Sequence, residues 1–322
     1  MRRLLSLLLA LLLTLSLAGC SEAEAHDPEK LQIVATLFPY YDLARAIAGD
    51  KAELRLLCSA GRESHSYEPT PKDILRITEA ELFLYNGGVD ETWATELLKT
   101  AEHGLVFTGM DYVDMLEEGE VAGAAGHEHH HEHDEHEHDD HEEHEIEYDE
   151  HIWTSPKNMM RLATGLTFML MDCDSANAAY YHENYSNYMQ KLQELDEAFA
   201  ALAAGADHPT LLFGDRFPFL YFCEEYGFGY EAAFLGCSTE TEPSAATMRT
   251  LIDDARVQGS GYVYYLENSS ARVAEAVAEA AGIETALLCS CQSVTPEDYE
   301  NGESYLTLMW RNYETLRKGV AR

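Results

Sequence analysis

Apolar residues fall along this chain in two alternating rhythms. Short continuous runs of four to eight residues predict buried strands, and longer stretches with helical spacing predict the helices between them. The first half reads as a strand at Leu31–Thr36, a helix at Pro39–Ala48 ending at Gly49, and a second strand at Ala52–Cys58. Thr70-Pro71-Lys72-Asp73 starts a helix, with threonine as N-cap, proline at the first helical position and an acid where a capping box wants one. A strand at Glu81–Tyr85 closed by Asn86-Gly87-Gly88, a helix at Trp93–Thr100 and a strand at Leu105–Thr108 follow. Strands separated by helices imply parallel βαβ units.

The pattern then lapses and resumes at His151-Ile152-Trp153, where Ser155-Pro156-Lys157-Asn158 starts another helix. Ser175–Ala204 holds neither proline nor glycine and predicts one long helix, ended by Gly205, that suits a spine between two lobes. The second half repeats the first. Strands are expected at Thr210–Phe213, Tyr230–Phe234, Gly261–Leu266 and Thr285–Cys289. Helices are expected at Phe219–Tyr226, Ser244–Val257, Ala271–Ala281 and Tyr305–Arg317, with a capped start at Thr295-Pro296-Glu297-Asp298. The expected fold is α/β, with two lobes of mainly parallel sheet joined by a long spine helix and a cleft between the lobes. The lobes span 31–174 and 206–322, and the linker helix spans 175–205.

The N-terminus reads as an address. Arg2 and Arg3 precede the apolar run Leu4–Leu17, which is too short for a comfortable membrane span, and Leu17-Ala18-Gly19-Cys20 resembles the bacterial lipobox. In such signals the cysteine becomes the first mature residue and carries lipid. Cys20 is thus the expected anchor at the outer face of a bacterial cell membrane, with 21–30 as a polar tether.

Composition sharpens the picture. The net charge of −37 excludes nucleic acid as a partner, since that requires a basic surface, and favours the capture of cations. Much of the charge sits in Asp111–Glu150, around an insertion, 118–149, expected to be disordered. It carries His127, His129, His130, His131, His133, His136, His138, His141 and His144 interleaved with carboxylates. Such a tract has too few apolar side chains to fold alone, but its imidazoles bind divalent transition metals. His127-Glu128-His129-His130-His131 matches HExxH, yet that motif works only on an amphipathic helix with a third ligand, and no nucleophile elbow or phosphate-binding glycine loop is present. No enzyme is expected. Six cysteines follow Cys20, with no CxxC pair; Cys237 is expected to pair with Cys289 or Cys291.

In parallel α/β sheets ligands bind beyond the carboxyl ends of the strands. His65 follows the second strand, His151 follows the insertion, and Asp215 and Glu267 end two strands of the second lobe. Both histidines read as metal ligands. Asp215 could be a ligand or simply pair with Arg216; Glu267 could be a ligand or cap the Asn268-Ser269-Ser270 helix start.

At these residues the chain resembles the zinc- and manganese-binding lipoproteins that feed ABC importers, the cluster A-I or cluster 9 binding proteins. The resemblance covers about Leu31 to the end. It rests on Ile33-Val34-Ala35-Thr36 with Tyr41-Asp42-Leu43-Ala44, on His65-Ser66-Tyr67-Glu68-Pro69-Thr70-Pro71, on His151-Ile152-Trp153, on Glu242-Pro243-Ser244, and on Tyr305-Leu306-Thr307-Leu308-Met309 with Asn312. The His-rich insertion marks the zinc members. The resemblance implies His65 and His151 as the first two ligands. Strict spacing puts Arg216 at the third position; Arg cannot deprotonate to bind metal, so the role moves to Asp215. The family's fourth ligand is an acid after the last strand. Here Cys289-Ser290-Cys291-Gln292 stands instead, so Glu267 or water completes the site. The family implies a monomeric extracytoplasmic receptor for Zn2+, with Mn2+ as runner-up, that delivers its ion to an ABC permease and its ATPase. A surface zinc buffer acting through the His-rich loop is the rival reading.

Overall fold

The computed structural model describes residues 27–62, 64–118, 147–206, 210–236, 238, 242–258 and 261–320. The signal segment with Cys20, the tether up to residue 26, the nine loop histidines and Cys237 lie outside them.

Among the described residues eight strands form two four-stranded sheets, and every pairing within the sheets is parallel. The first holds β1 (Leu31–Ala35), β2 (Ala52–Leu56), β3 (Leu82–Tyr85) and β4 (Leu105–Thr108) in the order β2-β1-β3-β4. Its helices are α1 (Phe38–Ala48), α2 (Pro71–Glu79) and α3 (Thr92–Thr100). The second holds β5 (Thr210–Phe217), β6 (Gly229–Leu235), β7 (Tyr262–Leu266) and β8 (Glu284–Leu288) in the order β6-β5-β7-β8. Around it lie α6 (Leu220–Tyr226), α7 (Ala245–Gln258), α8 (Arg272–Ala281) and α9 (Pro296–Glu300). Each order reverses once, between β1 and β3 and between β5 and β7. Chain direction diverges at those two points and leaves a crevice at the strands' carboxyl ends.

Between the sheets run α4 (Pro156–Cys173) and the spine α5 (Ala178–Ala204), while α10 (Tyr305–Gly319) closes the chain against β8, α5 and α1. The spine's 27 residues span about 40 Å. It begins three residues later than its composition suggests, because Ser175–Asn177 forms a separate 3-10 turn. Strand β5 runs four residues past the expected end at Phe213. Gly214 marks a close approach: a Cβ there would lie 2.3 Å from Ala274 Cα of α8. A bulge between Phe213 and Arg216 lets the strand continue beside β6.

One buried cluster runs through both lobes, from Ile33, Tyr40 and Trp153 through Leu192 and Phe199 of the spine to Phe213, Tyr264 and Leu308. Smaller clusters sit under the outer helices of each lobe. Polar ties reinforce the junction. Buried Asp42 on α1 accepts from the Tyr305 amide at 2.7 Å and from Arg45 at 2.6 Å, and Arg45 donates onward to the Glu303 carbonyl at 2.7 Å.

The expected cysteine bridge falls on a residue that is not described. Cys289 and Cys291 are buried free thiols, and Cys237 lies outside the described residues. Asn312 holds Cys289 by both backbone groups, accepting from its amide at 2.8 Å and donating to its carbonyl at 2.7 Å, so this stretch is built into the core. No helix among the described residues is long and apolar enough to cross a membrane.

Candidate metal centre

Residues of both lobes line one cavity, and two loops of the first lobe bring histidines together there. His65 lies between β2 and α2. Its exit is fixed by the capping box: Thr70 Oγ1 accepts from the Asp73 amide at 3.3 Å while the Asp73 carboxylate accepts from the Thr70 amide at 3.0 Å. The loop is also tied to the other lobe, since the Gly61 amide donates to the Val294 carbonyl at 2.7 Å. His151 opens a 3-10 turn that runs into the Ser155-capped helix α4. Trp153 anchors that turn, its indole N–H donating to the Ser290 carbonyl at 2.9 Å, and Tyr305 donates to the Trp153 carbonyl at 2.8 Å.

The two imidazole rings stand 5.7 Å apart, centre to centre, inclined at 61°. Each Nδ1 is held by a carboxylate. Asp90, just after β3, holds His65; Asp149 holds His151 at 3.3 Å and also accepts the His151 backbone amide at 2.8 Å. A carboxylate on one ring nitrogen orients the imidazole and makes the other nitrogen a better metal ligand. Burial pulls the His151 pKa down, but the charge and hydrogen bond of Asp149, with Glu150 behind, more than reverse this and raise it. His151 Nε2 is buried and has no hydrogen-bond partner in the protein. A buried imidazole nitrogen left without a partner is costly, and a divalent cation is the partner such nitrogens suit.

Glu150 braces Asp90. Its Oε1 accepts from the amides of Val89 and Asp90, and Gly88 makes room, since a Cβ there would lie 1.9 Å from the Glu150 carboxyl carbon. Burial, then the Asp90 charge, push the Glu150 pKa up to about 7.

A cavity of about 50 Å³ lies between the lobes, lined among others by His65, His151, Glu267, Arg62, Arg216 and Ser293. Glu267 follows β7, and its two oxygens accept from the amide and hydroxyl of Ser290, at 2.7 and 2.6 Å. Burial raises its pKa to about 7. It does not cap a helix at 268–270; the next helix begins after Ala271. Asp215 is placed differently from the expectation. It does not line the cavity: Oδ2 accepts from the Leu266 amide at 3.1 Å and from the Ser269 hydroxyl, and Oδ1 from the Arg216 amide at 2.8 Å. Its carboxylate stitches β5 to the end of β7, and Arg216 reaches the cavity instead. Among the described residues no three His, Cys, Asp or Glu side chains stand in coordinating geometry.

Asp90, Asp149, Glu150 and Arg62 did not emerge from the sequence. Asp149 was findable, two residues before His151; Asp90 was not, being 25 residues from the histidine it holds.

The ends of the His-rich insertion meet beside this site. Glu117 and Tyr148 form an antiparallel bridge, the Glu118 amide donates to the Glu147 carbonyl at 2.9 Å, and the Asp149 amide donates to the Leu116 carbonyl at 3.0 Å. The insertion therefore leaves and re-enters the described structure at one point, a few residues from His151.

Comparison with known proteins agrees with this architecture. The family described as "Zinc-uptake complex component A periplasmic", ZnuA, matches residues 33–319. The zinc-binding lipoprotein AdcA of Streptococcus pneumoniae is 34% identical over 98% of this chain, which spans 60% of that relative's length. The high-affinity zinc uptake system protein ZnuA of Bacillus subtilis is 30% identical over 91% of this chain and 88% of its own. Among solved structures, the Zn(II)-bound ZnuA-like domain of S. pneumoniae AdcA superposes with a TM-score of 0.72 at 29% identity, covering 91% of this chain and all of the domain. The metal-dependent lipoprotein YcdH of B. subtilis gives 0.74 at 27% identity over the same share of this chain and all of its own. The parallel two-sheet fold, the paired cleft histidines and a family match over residues 33–319 place this chain in the ZnuA family.

Proposed function

We propose that this chain is the extracytoplasmic zinc receptor of an ABC-type importer, holding Zn2+ between its lobes and delivering it to the permease and ATPase. The observation that carries this reading is the buried, unpartnered Nε2 of His151, set beside His65 at a cavity between two lobes, each imidazole backed by a carboxylate. The names of the relatives support it.

His65 and His151 supply two nitrogen ligands, and Glu267, already facing the cavity, supplies an oxygen. Asp215 acts by holding Leu266 and Ser269, and so Glu267, in place. Two imidazoles to one carboxylate favour zinc over manganese, which prefers a site richer in oxygen. Binding is capture and release, with no bond made or broken in a substrate. The nine loop histidines, rooted beside His151, gather ions weakly and pass them inward. The chain acts as a monomer, tethered to the outer face of the membrane by lipid on Cys20.

The test is a zinc titration against a competing chelator, using the mature protein without 127–144. One tight equivalent, lost in His65→Ala and in His151→Ala, is expected. Absence of any tight equivalent would transfer the function to the loop and make the protein a surface zinc buffer.

A further inference from the structure

The two residues before His151 serve different histidines. Asp149 accepts the His151 amide and holds its Nδ1. Glu150 is buried and crosses to the loop after β3, where its Oε1 accepts from the amides of Val89 and Asp90. Its backbone carbonyl accepts from Asn86 Nδ2 at 2.9 Å, so residue 150 holds both ends of segment 86–90. That segment is tied from other sides as well. Asn86 Oδ1 accepts from the Tyr40 hydroxyl, the Asn86 carbonyl accepts from the Met110 amide at 3.0 Å, and Glu91 Oε2 accepts from the Gly87 amide at 3.1 Å. The segment ends at Asp90, whose carboxylate holds His65 Nδ1. Contacts thus run unbroken from His151 through its neighbour Glu150 to Asp90 and His65. Gly88 measures how close the fit is. Its backbone is extended, at φ −83° and ψ −169°, which any residue can adopt. A Cβ there would nonetheless fall 1.9 to 2.2 Å from three atoms of the Glu150 carboxyl group. The carboxyl group, not the backbone, bars a side chain at this position.

We propose that Glu150 is a positioning residue for zinc. It makes the two cleft histidines one preorganised pair, acting on His65 through Asp90 while its own backbone carries His151. Metal ligands must be held to within about 0.5 Å of their working positions, by side chains that are themselves locked in place. A residue that ties the two ligand loops together does this without touching the ion. This rests on the receptor reading above.

The full mature chain is given half an equivalent of zinc, so that the tightest site fills first, and its affinity is read by chelator competition. Glu150→Ala should weaken zinc by roughly tenfold, the lower end of the loss seen when groups that orient metal ligands are removed. The loss should recur in an Asp149→Asn background and nearly vanish in an Asp90→Asn background, because Glu150 acts through Asp90. A general loosening of the fold would cost the same in both. Glu150→Gln keeps an oxygen acceptor for the two amides and should recover most of the affinity. Gly88→Ala, which pushes the carboxyl group aside from the opposite direction, should reproduce the loss and give the same pattern in the two backgrounds. Wild-type affinity in Gly88→Ala would overturn the proposal even where Glu150→Ala fails to fold. Losses of equal size in the Asp90→Asn and Asp149→Asn backgrounds would overturn it too. Absence of tight zinc in the wild-type chain would instead overturn the receptor reading, and this inference with it.

Discussion

Asp90 and Asp149 each occupy the Nδ1 side of a cleft histidine, which turns Nε2 toward the role of ligand. Carboxylates so placed are worth roughly 10–100-fold in metal affinity. Asp149→Asn should therefore weaken zinc binding by about that factor, and Asp90→Asn likewise, in chelator competition with folding checked by circular dichroism. Unchanged affinity in both would reduce the pairs to scaffolding. A different carboxylate works against the fold. Glu231 on β6 is half-buried beside Asp254, and burial first, then the Asp254 charge, push its pKa from 4.5 to about 7. The folded state thus holds a proton that the unfolded state releases near 4.5. Stability from this group is present below that pH and is lost as pH rises through about 7. Glu231→Gln should raise the thermal midpoint relative to wild type at pH 8 and leave it unchanged at pH 4. An equal shift at both would assign the effect to packing. At this scale the sequence was only partly readable. His65 and His151 stood out because a histidine in a loop after a parallel strand has few structural reasons to be there. Asp215 sits at an equally suggestive position, but a strand-end acid can serve a neighbouring strand's amide as readily as a metal, and only the fold distinguishes the two.

Elements carry these residues, and their ends matter more than their middles. The capping box at Thr70-Pro71-Lys72-Asp73 starts α2 and fixes the end of the His65 loop. Thr70→Ala should cost about 1 kcal/mol, the usual loss for an N-cap, visible as a lower midpoint in urea. It should also weaken zinc, because the loop it releases carries His65, one of the proposed ligands. A loss of stability with zinc affinity intact would show that the Gly61 tie to Val294 positions His65 alone. Capping signals were legible because they are local: Thr70, Ser155 and Thr295 all cap as their spacing predicts. The end of β5 was not, because Gly214 is required by the distant α8, and nothing near it in the chain says so. The spine's late start has a similar origin. Ser175–Asn177 is helical in composition, but Asp174 accepts from both Asn177 and Tyr181, and this favours a tighter turn first.

For the molecule as a whole, the question is how far the lobes can move. The continuous core argues for little movement. Phe199 of the spine packs on Phe222 and Tyr226 from the second lobe and on Tyr313 of α10, with ring centres 4.8 to 5.8 Å apart. Leu192 and Leu195 join the same cluster as Tyr40 and Trp153. Wide hinge opening would expose this surface, and close-packed interiors do not deform continuously. Capture is therefore expected as a local closing of the loops that carry His65, His151 and Glu267 around an ion. Two measurements on the loop-deleted protein should differ. Zinc in excess should raise the thermal midpoint strongly, since a ligand at 1,000 times its dissociation constant stabilises by about 4 kcal/mol. The radius of gyration from solution scattering should stay the same within error. Marked compaction on zinc binding would show that the spine bends and that the shared core opens. A steady radius with a raised midpoint would place the whole response in the loops that carry His65, His151 and Glu267.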